Sequence, residues 1–324
     1  MIITRTPYRV SLFGGGTDHP TWYRENGGAV LSFAIDKFCY INIREMPPFF
    51  NHRYRVAYSK VEMTQQIDEI NHPAVREGFR KFAPNLSLEL HHHGDLPSQS
   101  GVGSSSAFAV GLIHSILALR GENVTQKQLA DQAIELEQKD LLETVGSQDQ
   151  IACAIGGINL IEFGKDERWS ATPLHLSPNY LSEIENRMVL LFTGISRSSS
   201  DISKSLLENL ESKATLMKRT HELALECDGI LRNNGDLSAI GPMLLESWNL
   251  KKLMNPASVT PLLEDFLERA MKAGAEGGKI LGAGGGGFCL FWVNPNRHDS
   301  FVSQMSPAVH VPIRISPEGS TRIL

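Results

Sequence analysis

Three glycine-rich runs carry the chemical interest of this sequence: Phe13-Gly14-Gly15-Gly16-Thr17-Asp18, Gly101-Val102-Gly103-Ser104-Ser105-Ser106 and Gly282-Ala283-Gly284-Gly285-Gly286-Gly287. Glycine lets a backbone approach a ligand closely and take positive φ, so that amide groups converge on an anion. One such run is a turn; three point to a shared site, with three independent tight turns as the alternative. The middle run leads into the apolar segment Ser105 to Leu119. A helix starting there offers unpaired N–H groups and partial positive charge to a phosphate, although the same serines also serve as plain helix caps. Neither common phosphate fingerprint fits. Gly278-Lys279 is followed by Ile280 and so does not complete a Walker A loop, and the dinucleotide motif needs glycine where Ser106 stands.

Carboxylates come next. In a helix over Gln126 to Glu143, capped by Thr125, the residues Ala130, Ala133, Ile134 and Leu141 share one face, and Glu137 projects from its middle. A carboxylate buried there must meet a cation. Two partners satisfy it: a structural Arg or Lys, or a hard Mg²⁺ held together with nucleotide phosphates. Asp149, in the polar turn Gly146 to Gln150, reads as an N-cap as readily as a catalyst, and Asp18 reads as an Asx-turn residue. His91, His92 and His93 resemble a metal cluster, but neighbours on a strand point to opposite faces, so they read as structural. Ser196-Arg197-Ser198-Ser199-Ser200, with Lys204 beyond, is either a polar capping loop or a second phosphate cradle.

The elements that must position these groups are legible in outline. Strands are expected over Met1 to Tyr8, Val30 to Ile43, Arg53 to Tyr58 and Leu86 to His91, followed by a helix over Ser105 to Leu119 that is apolar on nearly all sides and therefore buried. Gly156-Gly157 and a strand over Ile158 to Phe163 close the first half. The polar stretch Lys165 to Glu185 is the expected linker. Beyond it the pattern gives a strand over Met188 to Phe192, helices over Asp201 to Leu231, Leu237 to Met254 and Thr260 to Ala273, and strands over Lys279 to Gly282 and Phe288 to Val293. A short helix over Arg297 to Met305 and a strand over Val309 to Ile315 complete an α+β sandwich.

At 324 residues the chain is long enough for two domains, and 41% apolar with 21% charged residues is globular usage. A net charge of −5 without a basic block argues against nucleic acid as a partner. The longest apolar stretch, Ala107 to Leu119, is too short to span a bilayer and carries His114 and Ser115, so no membrane contact is expected. The N-terminus lacks the pattern of a signal peptide, which predicts a cytoplasmic protein. Cys39, Cys153, Cys227 and Cys289 are scattered among apolar neighbours as buried free thiols are.

Taken together, the segments resemble the GHMP sugar and metabolite kinases. Pro7-x-Arg9-Val10-x-Leu12-x-Gly14-Gly15-x-Thr17-Asp18, Pro97-x-x-x-Gly101-Val102-Gly103-Ser104-Ser105-Ser106-Ala107 and Leu281-Gly282-Ala283-Gly284-Gly285-Gly286-Gly287 are similar to the three motifs of that superfamily. The Phe-Gly-Gly-Gly-Thr-Asp form of the first motif, Gly194-Ile195-Ser196-Arg197, Trp248-x-x-Lys251-Lys252 and Gly277-Gly278-Lys279 look most like its heptose 7-phosphate branch. Gly15-Gly16 departs from the galactokinase form, which has Glu-His there.

The resemblance implies an α+β GHMP kinase fold: an N-terminal domain, residues 1–177, with a left-handed β-α-β unit, and a ferredoxin-like C-terminal domain, residues 178–324, with ATP between them. It implies that Pro97 and the run Gly101, Val102, Gly103, Ser104, Ser105 and Ser106 wrap the triphosphate, that Ser104 and Glu137 hold Mg²⁺, and that Asp149 is the base beside Arg9. Gly15, Gly16, Thr17, Asp18, Ser196, Arg197, Gly285 and Gly286 are the substrate-binding residues on this reading. The implied activity is ATP-dependent phosphorylation of the anomeric hydroxyl of a sugar, most nearly a heptose 7-phosphate, feeding a nucleotide-activated heptose for surface glycans. An unphosphorylated hexose or 6-deoxyhexose as acceptor, a silent sugar-binding regulator and an ATP-dependent decarboxylase are the alternatives. A homodimer is left open.

Overall fold

The computed structural model describes residues 1–195 and 210–324. Strand β1 (Ile2–Phe13) and helix α1 (Pro20–Asn26) are followed by β2 (Gly28–Glu45), β3 (Tyr54–Ala57), β4 (Val61–Thr64), α2 (Pro73–Phe82) and β5 (Leu88–Gly94). Next come α3 (Ser104–Leu119), α4 (Gln126–Glu135), α5 (Gln148–Ile155), β6 (Ile158–Phe163), β7 (Trp169–Pro173), α6 (Pro178–Arg187) and β8 (Met188–Phe192). From residue 210 on, the chain forms α7 (Ala214–Arg232), α8 (Ile240–Met254), α9 (Pro261–Ala273), β9 (Ala275–Ile280), β10 (Phe288–Val293), α10 (His298–Gln304), β11 (Val309–Val311) and β12 (Thr321–Arg322).

The first sheet runs β12-β1-β2-β5-β3-β4, with β6 and β7 extending from the other end of β2. Strand β2 is long enough to serve both arms, pairing with β5 through Cys39 to Glu45 and with β6 through Gly28 to Phe33. Strands β3 and β5 are parallel, Tyr54 facing Leu88, and such a pair needs a crossover, here supplied through α2. The second sheet runs β11-β8-β10-β9 with all three pairings antiparallel, the order of a ferredoxin-like unit. From Ile315 on, the chain returns to the first sheet, where Ile35 bridges Ile315 and Thr4 faces Arg322.

Helix α3 is apolar all round because it is covered all round, by β1, β2, α2, α4 and α5. Leu112, Ile113 and Ile116 are wholly buried. Each side chain of that size is worth roughly 1.5–3 kcal/mol on burial, so the helix is fixed along its length and its N-terminus with it. All four cysteines are free and buried, as expected. Along β5 the histidines do alternate: His91 joins Glu89 and Arg55, and His92 packs edge-on against Phe108. No helix among the described residues is long and apolar enough to cross a membrane.

Two expectations need correction. The helix from Gln126 stops at Glu135, passes through a π-helical turn over Leu136–Asp140 and does not reach Glu143. Leu142 takes a φ of 54°, and this left-handed residue turns the segment Glu143 to Gly146 along the cleft described below. The stretch Lys165 to Glu185 is not an open linker. Its polar side chains face out while its backbone pairs, Phe163 with Trp169 through Asn159 with Pro173, and Ser177 then caps α6 by accepting from Tyr180 N–H.

Candidate active site

Arg9 and Ser11, two residues apart on β1, both face a cleft of about 380 Å³. The N-terminus of α3, the segment Glu143 to Asp149, and Lys251 and Lys279 from α8 and β9 also line it. Arg9 is the hub. Its Nε donates to Asp149 Oδ1 at 2.6 Å, its Nη2 to Asp149 Oδ2, and its Nη1 to Gly101 O at 2.7 Å. The pair is bidentate, the strongest geometry open to a guanidinium and a carboxylate. Burial opposes the Arg9 charge, and Asp149 more than offsets it, so the guanidinium pKa lies above its ordinary value. Asp149 sits in the first turn of α5 with 24% of its side chain exposed toward the cleft.

The glycine-rich loop before α3 is built by backbone geometry. Gly101 and Gly103 take φ of 85° and 74°, and a Cβ on Gly103 would lie 3.0 Å from Arg9 Cγ. The first bond of α3 runs from Ala107 N–H to Gly103 O, which leaves the N–H groups of Ser104, Ser105 and Ser106 ahead of it as anion donors. Gly101, Gly103 and the three serines line the cleft. Val102 is wholly buried and holds the loop to β1 through Arg9 N–H to Val102 O, and Pro97 lies off the cleft with its carbonyl taken by Ser100 Oγ.

Glu137 is 1% exposed. It meets no Arg or Lys among the described residues; its Oε2 accepts from Ser106 Oγ at 2.7 Å and from Gln150 Nε2. Burial raises its pKa to about 7, against the pull of those two donors. The serine on Glu137 is therefore Ser106, while Ser104 Oγ accepts from Gln99 N–H at 3.1 Å. A buried carboxylate with neutral donors only, next to an anion-binding helix N-terminus, fits a cation delivered with phosphates.

Asp18 is buried and braces one end of the cleft. Its Oδ1 accepts from Gly16 N–H at 2.9 Å and its Oδ2 from Gln148 N–H at 3.2 Å, while its carbonyl accepts from Ser147 N–H. It thus ties the first glycine run to the start of α5. Gly15, Gly16 and Asp18 line the cleft. Thr17 does not; its Oγ1 donates to Gly14 O and Ala29 O and pins the turn to β2. Gly285 and Gly286 are also away from the cleft, because that run is taken up by backbone packing: Gly285 N–H donates to Ser258 O, and a Cβ on Gly286 would fall 2.4 Å from Ile195 O. Ser196 and Arg197 lie outside the described residues.

Two lysines belong to the site that residue-by-residue reasoning gave no role. Lys251 Nζ donates to Gly282 O at 2.6 Å, and Lys279 Nζ to Leu12 O at 3.1 Å. Burial lowers the pKa of Lys251 to about 7, helped by Lys279 and Arg9, and that of Lys279 to about 8, helped by Arg9. They meet because Gly277 has no side chain: a Cβ there would fall 1.8 Å from Gly241 O and hold α8 off β9. The signal in the sequence was a lysine inside an apolar strand directly before the third glycine run.

With this geometry in hand, known proteins give the family. The profile of the GHMP kinases N-terminal domain matches residues 70–157, and that of the GHMP kinases C-terminal domain residues 207–309. The D-glycero-α-D-manno-heptose 7-phosphate kinase of Campylobacter jejuni is 30% identical, covering 94% of this chain and 93% of that one. This chain belongs to the GHMP kinases. A galactokinase of Thermotoga maritima is 24% identical with 87% of each chain covered. The crystal structure of a D-glycero-D-manno-heptose 1-phosphate kinase from Bacteroides thetaiotaomicron has the same fold, with a TM-score of 0.81 at 23% identity over 100% of this chain and 99% of that one. GHMP kinases use ATP, and in this chain the second motif forms the loop before α3, while Arg9 of the first motif is paired with Asp149, which lies outside the three motifs.

Proposed function

We propose that this GHMP kinase transfers the terminal phosphoryl group of ATP to the anomeric hydroxyl of a heptose 7-phosphate, giving the 1,7-bisphosphate and ADP. The observation that carries the reading is the bidentate Arg9–Asp149 pair set directly against Gly101 of the phosphate loop. The C. jejuni relative supports the choice of acceptor. An anomeric hydroxyl is the most acidic in a sugar, so a carboxylate suffices as its base.

Mg²⁺ belongs to this proposal. Ser106 and Glu137 are the groups that fit it, with Ser104 at the cleft wall; when bound, the metal and ATP supply charge neutralisation and the phosphoryl group. The chain's own residues do the rest. The N–H groups opening α3 fix the phosphates by charge and direction. Arg9 holds Asp149 in one orientation and places positive charge beside the transferring group. Each Asp149 oxygen keeps a second lone pair, and one accepts the proton of the attacking hydroxyl. Asp18 and its glycines form the floor on which the sugar rests. A cytoplasmic location, where ATP is abundant, and the division into domains 1–177 and 178–324 complete the proposal.

The decisive experiment is coupled ADP release across sugars and sugar phosphates. Rapid turnover of D-glycero-D-manno-heptose 7-phosphate is the expected result. Turnover of only unphosphorylated hexoses or 6-deoxyhexoses would replace the acceptor, and CO₂ release with free phosphate would replace the reaction.

A further inference from the structure

Two polar side chains at the cleft have no hydrogen-bond partner for one of their atoms among the described residues: Ser11 Oγ and Gln148 Oε1. Both residues are 7% exposed, and both flank Gly15, whose Cβ would stand 3.3 Å from Ser11 Oγ and 3.6 Å from Gln148 Nε2. A buried polar atom left without a partner is destabilising, so such atoms at a cleft wall are matched to a ligand's hydroxyl. Lys279 is close at hand. Also 7% exposed, its ammonium is tied to Leu12 O, the residue after Ser11, and loosely to Ser247 Oγ at 3.5 Å, and among the described residues it has no carboxylate partner.

Position separates this group from the nucleotide loop. Along β1, Arg9 packs on Gly101 and Gly103, whereas Ser11 and Leu12 lie further on, toward Gly15. Lys251 is committed differently, since its short bond to Gly282 O props the third glycine run. We propose that the acceptor sits against Gly15, with Ser11 and Gln148 binding its hydroxyls and Lys279 holding a phosphate ester that it already carries. This deepens the kinase reading and rests on it. An anion restores to Lys279 the charge that burial and Arg9 disfavour.

The test is steady-state ADP release by wild type and by Lys279→Met, Lys279→Arg, Ser11→Ala and Gln148→Ala, using D-glycero-D-manno-heptose 7-phosphate and the same heptose without phosphate. Wild type prefers the phosphorylated sugar. Lys279→Met reduces that preference, as a ratio of kcat/KM, by roughly 10- to 100-fold, with KM for ATP little changed and Lys279→Arg restoring part of it. Ser11→Ala and Gln148→Ala raise KM for both sugars alike, by about two- to tenfold. An unchanged preference in Lys279→Met, or a rise in its ATP KM alone, overturns the lysine assignment while leaving the kinase intact. Unchanged acceptor KM in the Ser11 and Gln148 variants overturns the seat, and these two read out even where Lys279→Met fails to fold. Wild type inactive on both sugars overturns the heptose acceptor of the proposed function; wild type preferring the bare heptose keeps that acceptor and overturns the role of Lys279.

Discussion

Ser106 Oγ donates to Glu137 Oε2 at 2.7 Å, joining the first turn of the phosphate-loop helix to a carboxylate that no cation among the described residues reaches. The two hydroxyl and amide donors only partly offset burial, which leaves the acid titrating near neutrality. A protein gains nothing in stability by keeping such a group ionised. On the proposed function it is a ligand for the Mg²⁺ that arrives with ATP.

Glu137→Gln tests this through stability as well as activity. The folded pKa of about 7 lies above the ordinary 4.5, so the folded protein binds the proton more tightly than the unfolded chain. The contribution is therefore most favourable below about pH 4.5 and is lost as pH rises through about 7. At pH 8 the ligand-free Gln variant should be more stable than wild type, by on the order of 3 kcal/mol before relaxation, and the difference should fall to about 1 kcal/mol at pH 5 and vanish below about pH 4. The same variant should need more Mg²⁺ for half-maximal rate. Thermal midpoints across pH with a metal titration check both; a variant less stable at every pH would mean that Glu137 is held by a cation after all.

Asp149→Asn should lower kcat by roughly 10²–10⁴ with KM for ATP within a few-fold of wild type. It should also destabilise the fold, because Arg9 is buried and loses its counter-charge, a change worth about 3–5 kcal/mol for a broken buried pair and less here, where Asp149 is partly exposed. Kinetics and a denaturant titration on one preparation separate the two effects. Wild-type turnover would remove Asp149 from the chemistry.

The parts of this molecule that sequence reasoning reached are those fixed by local rules. The all-round apolar run to Leu119 had to be a buried helix, and the glycines before it had to be a loop at its N-terminus. Strand Phe288 to Val293 was placed to the residue. What it could not reach depends on distant partners. Whether Glu137 meets Arg, Lys or metal is decided by Ser106 and Gln150, neither of which signals itself as its neighbour. The π-helical turn after Glu135 leaves no mark in periodicity. Lys279 lies 267 residues from the carbonyl it binds, so only the fold shows that it faces Ser11's side of the cleft. Motif glycines serve packing and binding equally well: Gly285 and Gly286 pack backbone against Ser258 and Ile195, and Thr17 pins its turn to β2, contacts that no local rule announces.

Gly146→Ala should be disproportionately harmful. A Cβ there would fall 1.8 Å from Asp18 Oδ2, and Asp18 is held by Gly16 and Gln148, so it cannot yield without releasing the acceptor floor. The expected result is a drop in kcat/KM for the sugar of more than about tenfold together with a lower thermal midpoint. Gly229→Ala is the contrast. It lies inside α7 with nothing within 4 Å of its Cβ position, so alanine should stabilise the protein by about 0.5–1 kcal/mol and leave kinetics alone. Equal, small effects of the two substitutions would show that Asp18 is not constrained as described.

Binding of the phosphorylated acceptor should draw protons from solution at mildly alkaline pH. Lys279 titrates at about 8, because burial and Arg9 disfavour its ammonium form, and Lys251 at about 7, because burial, Lys279 and Arg9 do the same. At pH 8 about half of Lys279 is therefore neutral, while a phosphate monoester, with its second pKa near 6, is already a dianion. Placing that dianion beside Lys279 raises the lysine pKa, so roughly half a proton is taken up there, and more where Lys251 follows. At pH 6 both lysines are already charged and their uptake disappears. Calorimetry with D-glycero-D-manno-heptose 7-phosphate in two buffers of different ionisation enthalpy reads the proton count directly. A Glu137→Gln background removes an acid near the cleft that also titrates near neutrality. Uptake at pH 8 that falls in Lys279→Met places the phosphate on this lysine; buffer-independent heats, or uptake unchanged in that variant, would separate the two.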